Sequence, residues 1–131
     1  MQKPISCSAK NLADFTALER AALRSIFMET PLFADGLEAQ YTGASVVKRE
    51  NSGGGFFTTI SVGAGISRVS SPRILGQKTS ADIEGLQYGM GFVLFMKDGY
   101  LNLLEGYAIA GNTTALDLTS VKFTLIHSAD G

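Results

Sequence analysis

GFVLFMKDGYLNLLEGYA, residues 91 to 108, holds two apolar runs joined at Lys97-Asp98-Gly99. Asp-Gly between strand-like runs marks a hairpin, because a tight turn needs positive φ and Gly and Asp tolerate it best. With Asp98-Gly99 as a two-residue loop, Met96 pairs with Leu101, Leu94 with Leu103 and Phe92 with Glu105, on one almost wholly apolar side. Val93, Phe95, Lys97, Tyr100, Asn102 and Leu104 then take the other side. A three-residue loop, with Gly99 left-handed, slips one strand by a residue and makes both sides largely apolar. Under either register Phe92 to Met96 is an unbroken apolar run, as expected of a strand covered on both sides.

Upstream, the sequence predicts a helix from Asn11, a good N-cap, to Glu29, where Pro31 forbids a further turn. Leu12, Phe15, Leu18, Ala22 and Ile26 form its apolar stripe, widened by Leu23 and Phe27, with Glu19, Arg20 and Arg24 largely outside it. Residues 32 to 36 read as a connector, and Leu37 to Arg49 as strand-like, with a bulge or bend at Gly43-Ala44-Ser45. Asn51 to Gly55 is a looser turn into Phe56 to Val62, a second hairpin of the same sheet. Residues 63 to 79 read as an irregular loop, the kind of segment that often carries function, with Arg68, Arg73 and Lys78 its charges. Ala81 to Leu86 and Val121 to Leu125 read as shorter strands. Helix first, then hairpins, is the order of an α+β fold: an N-terminal helix packed on an antiparallel sheet of about five to six hairpin-connected strands. One helix covers one face of such a sheet, which leaves the other to the 63–79 loop or to a second subunit.

The 131 residues suffice for a single domain, 1–131, that buries roughly two-thirds of its unfolded surface. Apolar residues make up 45% and charged residues 18%; eleven Lys and Arg against twelve Asp and Glu give a net charge of −1, with no run of either sign. That balance argues against nucleic-acid and anionic-membrane partners, which attract basic patches. Cys7 is the only cysteine, so no disulfide forms within the chain and a reducing compartment fits best. The first residues carry no apolar h-region, and no stretch of about 18 apolar residues occurs, so a cytoplasmic protein is expected.

The chemistry-bearing residues are few. Gly53-Gly54-Gly55 enters a strand rather than the Gly-Lys-Ser/Thr helix start of a phosphate loop, and Gly63-Ala64-Gly65 and Gly89-Met90-Gly91 begin dinucleotide fingerprints that no third glycine completes. His127 has no acidic or thiol partner at short spacing, and Asn112-Thr113-Thr114 reads as a polar turn, so neither a cofactor nor a metal is expected. Glu105 stands apart: it follows Leu103-Leu104 in an apolar strand, and a carboxylate facing inward there needs a partner. Arg68, Arg73 and Tyr88 are the candidates for that partner, and Glu105, Arg68 and Arg73 are the candidate catalytic residues. The plainer expectation is that Glu105 points to water where the strand leaves the core.

The run GF-V-LF-x-KDGYL-x-x-LEGY over residues 91 to 107, with Gly-Gly-Phe-Phe-Thr at 54 to 58 and Gly-Leu-x-x-Gly at 85 to 89, resembles a family of small bacterial α+β proteins. The resemblance spans residues 37 to 108 and implies a domain of hairpins; it brings no activity and no site residue. In size and composition such proteins are similar to immunity proteins of toxin systems, an analogy only. The expected function is thus binding: a protein that self-associates as a homodimer through its sheet, or binds another protein. An enzyme built on Glu105 and the 63–79 loop, and an immunity-type inhibitor, are the alternatives.

Overall fold

In the computed structural model, which describes residues 15–127, the first helix opens on a capping box rather than at Asn11. Glu19 N donates to Thr16 Oγ1 at 3.0 Å, and Thr16 N donates to Glu19 Oε1 at 2.8 Å, which satisfies two N–H groups a helix start leaves orphaned. The helix, α1, spans Ala17–Glu29. Asn11, Leu12 and Asp14 lie outside the described residues. Phe15 is buried just ahead of the cap, and Leu18, Ala22, Leu23, Ile26 and Phe27 form the buried stripe.

Residues 37 to 42, expected as the start of a strand, are helical instead: a second helix, α2, spans Ala34–Thr42. Phe33 N donates to Thr30 O and Ala34 N to Pro31 O, so the chain turns at the proline and immediately re-enters a helix. Ala34, Leu37, Glu38, Ala39 and Gln40 are all good helix formers, and the β-forming Tyr41 and Val46-Val47 obscured them. Gly43 is the C-cap of α2, and the strand irregularity lies between Val46 and Lys48.

Seven strands follow among the described residues: β1 (Ala44–Asn51), β2 (Gly55–Val62), β3 (Ile74–Leu75), β4 (Thr79–Ile83), β5 (Met90–Lys97), β6 (Tyr100–Ala108) and β7 (Phe123–His127). They form one antiparallel sheet in the order β1-β2-β6-β5-β4-β7, with β3 also on β5. The architecture is α+β, and the strand beyond the expected five to six includes β3, two residues inside the segment read as irregular. Both helices pack on the same face, α1 against β4, β5 and β7 and α2 against β1 and β6. Phe27, Leu37, Phe56, Met90, Phe92, Leu94 and Leu104 fill the space between. No helix among the described residues is long and apolar enough to cross a membrane.

The central hairpin follows neither expected register along its whole length. Asp98 and Gly99 form a two-residue loop with φ of +53° and +86°, and Lys97 pairs with Tyr100 and Met96 with Leu101. Asn102 is then an extra residue, and the ladder resumes with Phe95 opposite Leu103, Leu94 opposite Leu104, Val93 opposite Glu105 and Phe92 opposite Gly106. This bulge exchanges the faces that the two-residue register gave Leu103 and Leu104, and it turns Glu105 away from the core. Gln40, fully buried, holds the distortion: Leu101 N donates to its Oε1 at 2.9 Å, and its Nε2 donates to Gly99 O at 2.8 Å and Ser67 O at 3.0 Å.

A second polar tie fixes helix to sheet. Glu19, expected off the apolar stripe, is 1% exposed. Arg49 of β1 donates to both its oxygens at 2.7 Å, and Thr58 of β2 donates to Oε2 at 2.5 Å. A buried carboxylate is tolerated because every lone pair that water would have filled has a donor.

Candidate functional site

One face of the sheet carries no helix among the described residues, and it is built from three cross-strand rows. Pairing places Ile74, Phe95, Leu103 and Thr59 in one row, Val93, Glu105 and Phe57 in the next, and Ser80, Gly91, Tyr107 and Gly55 in the third. Phe57, Val93, Phe95 and Leu103 are half-buried against one another, and Ile74 and Tyr107 are exposed. Gly91 is required in its row: a Cβ there would stand 2.4 Å from the Tyr107 ring, which lies across it. Gly55 is required for the same kind of reason, since its Cβ would stand 1.9 Å from Gly106 O. Of the Gly53-Gly54-Gly55 turn, Gly55 is thus explained by close strand approach and Gly53 by its φ of +88°, while a Cβ at Gly54 would meet open space.

Phe57, Phe95, Leu103 and Ile74 of the first two rows bound a groove of about 640 Å³, with Arg73, Lys97, Asp98 and Glu105 around them. The structure therefore brings together two of the three expected site residues, Glu105 and Arg73. Glu105 is half-buried between Val93 and Phe57 on this face, outside the core. Arg68 is not part of the groove; it is exposed beside Gly99 and lines an adjoining depression with Gly63, Gly65 and Tyr100, which shares Lys97, Asp98 and Asn102 with the groove. Tyr88 is exposed in the β4–β5 connection and does not line the groove either. What separates the two arginines is β3: Met96 N donates to Arg73 O at 2.8 Å, which holds Arg73 at the edge of β5 on the groove side.

The 63–79 segment does not fold over this face. Its buried hydrophobic residues, Val69 and Leu75, join the core cluster, Val69 packs on Gly36 of α2, and Val69 N donates to Gly99 O. The segment forms a rim to the groove at Arg73 and Ile74.

Other titratable and polar features have structural roles. Burial raises the Tyr41 hydroxyl above its ordinary value, and the ring packs on Phe15 and Phe27 in the helix layer. Asp117 is held below the usual carboxylate range by the Thr119 hydroxyl and N–H and the Ser120 hydroxyl, inside an exposed turn. Thr113, read as part of a polar turn, is fully buried: its hydroxyl donates to Asn51 Oδ1 at 2.8 Å and its N–H to Gly53 O at 2.8 Å, pinning the chain to the β1–β2 hairpin. His127 ends β7 opposite Thr79. No group of three or more His, Cys, Asp or Glu able to hold a metal occurs among the described residues.

The sequence signal for the groove was the alternation in β5 and β6, which places Val93 and Phe95 on one side; the bulge at Asn102, which brings Leu103 and Glu105 to that side, has no marker in residue type. No protein-family model, no curated protein and no solved structure matches the chain.

Proposed function

We propose that the chain is a small cytoplasmic binding protein whose helix-free sheet face pairs with the same face of a second copy. The observation that carries this reading is the contiguous set of Phe57, Val93, Phe95, Leu103 and Ile74 on a face that, among the described residues, neither helix nor the 63–79 segment covers. Monomers seldom leave such a patch in water, and two-fold pairing of identical patches is the commonest remedy. Charge supports a second copy as the occupant: the groove carries Arg73 and Lys97 as well as Asp98 and Glu105, so a facing copy offers each Glu105 a cation as water is withdrawn.

The enzyme reading gains the proximity of Glu105 and Arg73. It loses Arg68, and the residues lining the groove include no histidine, serine, threonine or cysteine to act as nucleophile or relay. The binding reading stands ahead of it for that reason. Light scattering at tens of micromolar tests the proposal through Phe95→Asp, which places a charge in the middle of the face. The variant should halve the mass of the wild-type assembly. A wild type that is already monomeric overturns self-pairing and leaves the face to a different protein, as an immunity-type inhibitor would use it.

A further inference from the structure

The two edges of the sheet are built differently. β1, at one edge, bears Lys48, Arg49 and Glu50 in succession and a register shift between Val46 and Lys48. Charges and bulges are the devices by which proteins keep an edge strand from pairing with another chain. β7, at the other edge, has neither. It pairs with β4 over Phe123 to His127 without a register shift, and Phe123-Thr124-Leu125-Ile126 contains no charge, glycine or proline. Among the described residues no strand lies on its outer side.

We propose that β7 is a second self-association surface, at which the sheet continues across a two-fold axis into β7 of another copy. The strand is suited to its own reverse. An antiparallel pairing centred on Leu125 sets Leu125 opposite Leu125 of the second copy and Thr124 opposite Ile126, with each residue meeting one from the same face of the sheet. Phe123 and Leu125, only half-buried beside α1, gain neighbours on the helix side. Ile126, 43% exposed, gains one on the other side. Lys122 precedes the strand and falls beyond the paired stretch, so no like charges are forced together. Because opposed residues come from the same face, both helix layers lie on one side of the continuous sheet and both grooves on the other. The edge contact is therefore compatible with face-to-face pairing, and together they make an assembly of four copies.

The inference is independent of the face reading, and the test keeps them apart. Ile126→Lys and Thr124→Lys each place a charge on the exposed side of β7, where the isolated protomer has room for it. Masses of wild type, both lysine variants and Phe95→Asp are compared by sedimentation at equal concentration, with circular dichroism to establish that each is folded. Either lysine variant should halve the wild-type mass, from four copies to two if faces also pair and from two to one if they do not. An unchanged mass in both folded lysine variants overturns edge pairing whatever Phe95→Asp does, and so does a monomeric wild type.

Discussion

Glu19 is the residue on which the helix layer hangs. The side chain serves the cap of α1, accepts both arms of Arg49 and takes the Thr58 hydroxyl, so one carboxylate joins a helix start to two strands. Removing one member of a buried pair strands the other, and Glu19→Ala should destabilise by about 3 kcal/mol, the lower end of the range for broken buried pairs, because the Arg49 side chain keeps partial contact with water. A drop in the urea midpoint at unchanged slope would report it; a loss under about 1 kcal/mol would mean that the tie is replaceable by solvent. Thr16-x-x-Glu19 is a capping-box pattern that the sequence displays openly. What it does not display is that the same Glu19 is also buried, since that depends on Arg49 and Thr58 arriving from strands some thirty to forty positions away, at |i−j| of 30 and 39.

At the scale of elements, the hairpin was legible from Asp98-Gly99 and the two apolar runs, and so were the β1–β2 hairpin and the helix stripe, because each is written in local periodicity. Three features were not. α2 hides because Tyr41 and two valines are strong β-formers close to a helix only nine residues long. β3 is two residues long and exists by pairing Ile74 and Leu75 with Phe95 and Leu94, a contact no local pattern encodes. The Asn102 bulge depends on Gln40, whose amide receives the Leu101 N–H and donates to the Gly99 carbonyl; the sequence could only offer two uniform registers where the structure uses parts of each. The turn itself allows little variation. Gly99 sits at φ +86°, and a Cβ there would lie 2.7 Å from Arg68 Cβ and 3.3 Å from Val69 O. Gly99→Val should therefore cost at least about 2 kcal/mol, from positive φ and the clash together, while Lys97→Ala, at an exposed position, should change stability by less than about 0.5 kcal/mol. Thermal unfolding of the two variants checks the pair, and equal tolerance of both would remove the hairpin from its central place.

At the scale of the whole molecule, both described helices and the buried part of the 63–79 segment lie on one side of the sheet, and among the described residues the other side is left with a half-buried apolar patch around one carboxylate. An open face was foreseeable from geometry, since one helix covers only one side of such a sheet, but that α2 would join the same side was not, and which residues populate the open side depended on the bulge. Val93 sits at its centre, opposite Glu105 and between β4 and β6 in the sheet order, so it reports directly on whether a second copy covers the face. The measurement is the rate at which a thiol reagent modifies Val93→Cys in a Cys7→Ser background as protein concentration is raised. Face-to-face pairing predicts a rate that falls as the associated fraction grows. A rate that stays the same from nanomolar to high micromolar protein would contradict it.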